Sequence, residues 1–157
     1  MIPEKALTKS IFELSQAKEK ARDFKGLATL AQMVETFERM GDEASNLIER
    51  IEIKISEKLL FSDLGVEQFN ETYNAMKKSV RMMREFLLNR RRTSLKDQVI
   101  DNGFHVKELI EQYRKEHADR LVQGLGTPLG ASMYFDMLDF TGNLARHASN
   151  IVKLYCI

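Results

Sequence analysis

Between Pro3 and Pro128 the chain contains no proline, the residue that most reliably interrupts an α-helix. Glycine is sparse as well, at 8 of 157 residues, and 30% of the chain is charged. Collagen-like, low-complexity and disulfide-scaffold architectures are thereby excluded. Many short strands joined by Pro/Gly turns are disfavoured, which leaves a mostly helical chain. The length suits one domain, and 43% hydrophobic residues supply a core for it.

Apolar residues follow helical periods nearly throughout. Val66, Phe69, Tyr73, Met76, Val80, Met83 and Leu87 alternate spacings of three and four, the seam of a long helix packed on other helices. Ser62 and Asp63 precede it as candidate N-caps. An earlier helix is expected over Gly26–Leu60, with the seam Leu30, Val34, Phe37, Gly41, Ala44, Ile48, Ile51, Ile55. A weaker pattern (Ala6, Ile11, Leu14, Ala17) spans about Pro3–Asp23. A further helix over about Ser94–Gln123 presents Val99, Gly103, Val106, Ile110, Tyr113, His117 and Leu121, with Asn102-Gly103 as its weak point. The loop Gly124–Gly130 sets Thr127 as N-cap and Pro128 at the first position of the last helix. That helix carries Met133, Met137, Phe140, Leu144, His147, Ile151 and Leu154. The expected fold is an all-α antiparallel bundle of four to five long helices with short connections.

Charge is nearly balanced, 24 basic against 23 acidic residues, so net charge points to no polyanionic partner. A single cysteine, Cys156, cannot form an intrachain disulfide and favours a reducing compartment. No apolar run approaches the roughly 20 residues that span a bilayer, and the start lacks the apolar stretch of a signal peptide. One region is biased: Lys77 to Lys96 holds eight basic residues and one acid. Lys77, Arg81, Arg84 and Arg91 share a side of their helix and form a candidate surface for anionic lipid or an acidic partner; a solvated helix end is the plain alternative. Only one aromatic residue, Phe86, falls among these cations, which argues against nucleic acid.

Glu38 and Asp42, four apart, share a helical face, where like charges cost roughly 0.2–0.5 kcal/mol unless offset. A divalent cation with oxygen ligands would offset them, and so would a neighbouring lysine or arginine. His117 and His147 sit on apolar seams; with Asp119 or Asp136 they are candidates for a polar or metal-binding set. The alternative is a hydrogen-bonded histidine at the core edge. Asp136, Asn143 and Asn150 recur every seven residues as a polar stripe. No catalytic triad, phosphate-binding loop or dinucleotide fingerprint is present, and the chain reads as non-enzymatic.

Sliding the sequence by 104 positions lays Ala44-Ser45-Asn46-Leu47-Ile48 on Ala148-Ser149-Asn150-Ile151-Val152, Met33 on Met137, and Gly26 on Gly130. The chain then divides into a partial first unit, residues 1–60, and a complete three-helix unit, residues 62–157. A piece of a longer protein, with its earlier part before Met1, is the expectation that follows.

Glu38-Arg39-Met40-Gly41-Asp42-Glu43-Ala44-Ser45-Asn46-Leu47-Ile48 resembles the PhoU-domain signature E-R-I-G-D-x-A-x-N-I. Gly142-Asn143-Leu144-Ala145-Arg146-His147-Ala148-Ser149-Asn150-Ile151 is similar to its second copy. Arg114–Leu121, the Gly124–Pro128 loop and Phe135–Leu138 look like the PhoU-like domain appended to sodium/phosphate cotransporters. The resemblance implies paired three-helix bundles and a regulatory, non-catalytic role in phosphate uptake. It implies a membrane phosphate transporter as partner, on the same or a separate chain, and a place at the cytoplasmic face of the cell membrane. A homodimer is a further candidate assembly. The family's metal-binding acids fall on Glu38 and Asp42, implying a divalent ion there, whereas Gly142 and Arg146 replace them in the second copy. A stand-alone metal-binding bundle and a ligand-free interaction module are the alternatives.

Overall fold

The computed structural model describes residues 21–89 and 93–155, together with Lys9 and Glu13. Four helices follow one another: α1 (Ala21–Ser56), α2 (Asp63–Leu88), α3 (Thr93–Val122) and α4 (Pro128–Leu154). No strand occurs among the described residues, and the fold is an all-α bundle. The weak helical pattern over 3–23 lies almost wholly outside the described residues. Gly26 neither starts nor breaks a helix, since α1 runs through it.

Local chemistry sets the helix boundaries. The Ser62 hydroxyl accepts from Gly65 N at 3.1 Å, so the first of the two candidate caps opens α2. Thr127 does the same for Gly130 N at 3.1 Å, and Pro128 fills the first position of α4. Gly124 and Gly126 take φ of +79° and +130°, a backbone that side chains resist, and turn the chain between α3 and α4.

Helix α4 is the hub. It packs against α1, α2 and α3; α2 and α3 pack on each other, whereas among the described helices the α1 backbone comes close only to that of α4. Tyr134, Leu138, Ala148, Ile151 and Val152 of α4 are fully buried. Helices α2, α3 and α4 thus pack on one another, with α1 laid along α4.

Two apolar seams are rotated from their expected placement. Along α1 the buried line is Met40 and Leu47, with Met33 partly covered; Leu30, Phe37, Ile48 and Ile55 of the expected seam are exposed. Along α2 Met76 and Met83 of the expected seam are buried, and the rest of the buried line, Gly65, Gln68, Thr72, Ser79 and Phe86, lies one position before the seam's other members. Small residues at that line let α2 approach its neighbours closely, and the larger Tyr73 and Val80 flank it. The Asn102-Gly103 weak point is instead an anchor. Asn102 Nδ2 donates to Ser79 Oγ and to Ala75 O, each at 2.7 Å, and a Cβ on Gly103 would collide with the Ser149 hydroxyl.

Candidate functional site

The two copies of the repeated motif meet where α1 crosses α4. Asn143 Nδ2 donates to Glu43 Oε1 at 3.0 Å, and Arg50 Nε lies 3.0 Å from Asp136 Oδ2. The second contact falls outside hydrogen-bond geometry, so charge attraction holds it. Going up α1 from Glu43 to Arg50 goes down α4 from Asn143 to Asp136 by the same seven residues, which makes the helices antiparallel. In that register Gly41 stands level with Ala145, its own counterpart in the repeat. Met40 and Leu47, buried in the core beside α4, correspond to Leu144 and Ile151, which are buried in the same cluster. The repeat therefore relates the two helices by an approximate twofold.

Around the expected metal pair the described residues add few donors. Glu38 and Asp42 both lie exposed on α1. Among the described residues no group of three or more His, Cys, Asp or Glu side chains converges as a cation would require. At the second copy Arg146 brings positive charge and Gly142 brings no ligand. Helical spacing aligns Glu38 and Asp42, and the remaining donors that a divalent ion would need are not found among the described residues.

The two histidines are not brought together. The His117 ring stacks on Tyr134 at 4.2 Å, near the start of α4, and His147 lies about 20 Å further along that helix at 1.5 Å per residue. Burial, then the adjacent Arg120, lowers the His117 pKa; Arg120 Nη2 lies 3.3 Å from its Nδ1. Burial also lowers that of His147, helped by Arg146 and Arg39. Both are core histidines held neutral. Asp119 is exposed, and Asp136 is engaged by Arg50.

Around His117 lies a polar network that the sequence pattern did not reveal. The Gln68 amide donates to Glu116, and Arg120 Nη2 donates to Gln68 Oε1 at 2.9 Å. Gln68 is 4% exposed. Tyr113 donates to Glu71, and burial followed by that bond pushes its pKa up to about 12. Tyr134, fully buried between His117 and Phe61, is likewise raised to about 12 by burial. Its hydroxyl has no hydrogen-bond partner among the described residues.

Two grooves flank the crossing. One, of about 480 Å³, runs between α3 and α4 over a floor that includes Ile100, Gly103, Ile110 and Gly142. Its rim carries Lys107, Arg114, Arg146 and Lys153 against Glu111 and Asp139; Arg114 is paired with Asp139. Asn143 and Asn150, two members of the polar stripe, line it too. The other, of about 530 Å³, lies between α1 and α2. Lys77 and Arg81 stand on its α2 wall, Lys77 reaching over the Tyr73 ring at 5.4 Å, and Arg84 is exposed nearby. Arg91 lies outside the described residues.

No described helix is long and apolar enough to cross a membrane. Comparison with family models, with curated proteins and with solved structures finds no match.

Proposed function

We propose that this chain is a non-enzymatic regulatory module of inorganic phosphate transport, acting by docking on a membrane phosphate transporter at the cytoplasmic face. The motif resemblance supplies the transport context. The observation that carries the reading is the antiparallel crossing of the two motif copies, with Gly41 level with its counterpart Ala145. Paired repeats of this kind give a rigid platform, and the α3–α4 groove is its docking edge. An apolar floor with Arg146, Lys153 and Lys107 at the rim suits an amphipathic segment bearing acidic residues.

The test is phosphate uptake in cells that carry or lack the chain, with membrane co-purification of a named phosphate transporter. Uptake is expected to change with the wild-type chain and to revert with Arg146→Glu/Lys153→Glu. Uptake indifferent to the wild-type chain would remove the transport reading. A second reading is a ligand-free interaction module that uses the same α3–α4 groove to serve another partner. Under it, the groove variants abolish partner binding while phosphate uptake never responds.

A further inference from the structure

Lys77, Arg81, Arg84 and Leu88 follow one another along α2 at steps of four, three and four. At 3.6 residues per turn they fall within about 60° of arc and run about 16 Å. Leu88 is the last residue of the helix and is 65% exposed. Arg81 and Arg84 are exposed too, as is Lys78 on the flank. None of these four cations has a carboxylate partner among the described residues, whereas Arg39, Arg50, Lys107 and Arg114 each have one. The cavity that Lys77 and Arg81 border has no acid in its lining. Between Lys77 and Leu88 the one acid is Glu85, turned about 60° from the midline of the stripe.

We infer that the second half of α2 is a docking surface for an anionic lipid bilayer, with Lys77, Arg81 and Arg84 at the headgroups and Leu88 in the acyl boundary. Three observations favour this occupant. The charge is of one sign and is not neutralised within the chain, so an anionic surface meets it at full strength. Lys78, Arg81 and Arg84 form no hydrogen bond among the described residues. Nothing in the fold therefore fixes their donors in one geometry, as a single bound anion or an acidic peptide would need, whereas lipid headgroups rearrange to meet flexible cations. The apolar tip stands in line with the cations, the pairing of basic and apolar side chains that an interfacial helix uses. Nucleic acid would leave Leu88 in water. Phe86, the aromatic residue of this segment, is 3% exposed and cannot stack on a base.

Co-sedimentation of the 157-residue chain with lipid vesicles tests the inference. Binding is expected to phosphatidylcholine vesicles that contain about 30% phosphatidylserine, with little to phosphatidylcholine alone and a loss of about tenfold or more between 0.1 and 0.5 M NaCl. A cation near an anionic surface contributes roughly fivefold in binding, so Arg81→Gln/Arg84→Gln is expected to lose about 25-fold. Leu88→Ser is expected to weaken binding severalfold and to keep the salt dependence. These side chains are exposed, so the circular dichroism spectra should match the wild type. Lys115→Gln, an exposed cation of α3, is the control and should bind as the wild type does. Equal binding to both vesicle types, binding to neither, or binding indifferent to Arg81→Gln/Arg84→Gln or to Leu88→Ser overturns the inference. So does displacement by 10 mM inorganic phosphate at constant ionic strength, because the cations then form a fixed anion site. A chain that ignores vesicles yet retains duplex DNA overturns it in favour of nucleic acid. The assay contains no transporter, so its outcome stands apart from that of the uptake test.

Discussion

Val152 is completely buried, and Ile48, which occupies the same place in the repeat, is more than half exposed. One position in a duplicated motif is core in α4 and surface in α1, because only α4 has α2 and α3 around it. Val152→Ala is expected to destabilise the monomer by about 2 kcal/mol, from lost transfer energy and the cavity left behind. Ile48→Ala is expected to stay within about 0.5 kcal/mol. Urea denaturation at low micromolar concentration compares them directly.

Acid is expected to destabilise the fold through its two buried histidines. Each has a pKa lowered in the folded state, His117 by burial and Arg120, His147 by burial, Arg146 and Arg39. The unfolded chain binds protons near pH 6.5 that the folded chain refuses. The stability they contribute is therefore full above that pH and declines below it, by up to about 1.4 kcal/mol per pH unit for each histidine. Chemical denaturation at pH 7.5, 6.5 and 5.5 should show the decline, and His147→Gln should flatten it.

Tyr134→Phe is expected to leave the protein as stable or to stabilise it by about 1 kcal/mol. The ring packs against His117, Phe61 and Phe135, while the hydroxyl is buried without a partner among the described residues and carries a desolvation cost. A thermal melt beside the wild type decides it, and a large loss of stability would mean the hydroxyl is bonded.

Asn102→Ala is expected to cost about 2 kcal/mol, because two hydrogen bonds from α3 to α2 are lost and Ser79 Oγ loses its donor from α3. The measurement is again urea unfolding, with Asp101→Ala, on the exposed side, as the control.

Divalent cations are expected to leave stability unchanged. Ions binding the folded state at 100 times their dissociation constant would add about 2.7 kcal/mol. Melting at 1 mM Mg²⁺, Mn²⁺ or Ca²⁺ should match melting in chelator, for the wild type and for Glu38→Ala/Asp42→Ala alike.

Much of the fold was readable from the residues, because helical period, the Ser62 and Thr127 caps and the scarcity of proline all act locally. The sides that helices bury were less readable. An apolar stripe states that a face avoids water, and its neighbours decide how much of it they cover. On α1 and α2 those neighbours left Phe37 exposed and Ile48 and Tyr73 beside an open groove, and buried Gln68, Thr72 and Ser79 instead. Small polar residues satisfied by partners such as Asn102, or by a carbonyl one turn back as for Thr72, leave no apolar signal. The Gln68–Glu116–Arg120 network joins residues about fifty positions apart, beyond the reach of any periodicity. Helical spacing put Glu38 and Asp42 on one face, but converging donors depend on other elements.

Because α1 packs its backbone on α4 alone among the described helices, its emergence during synthesis has a cost in time. The ribosome releases α1 before α4, the described helix it packs on, which follows roughly a hundred residues later. At about 5–20 residues per second, α1 waits on the order of 5–20 s with both its apolar lines open to water. For that interval the nascent chain is a substrate for chaperones, and the newly completed α4 must recruit a helix already waiting.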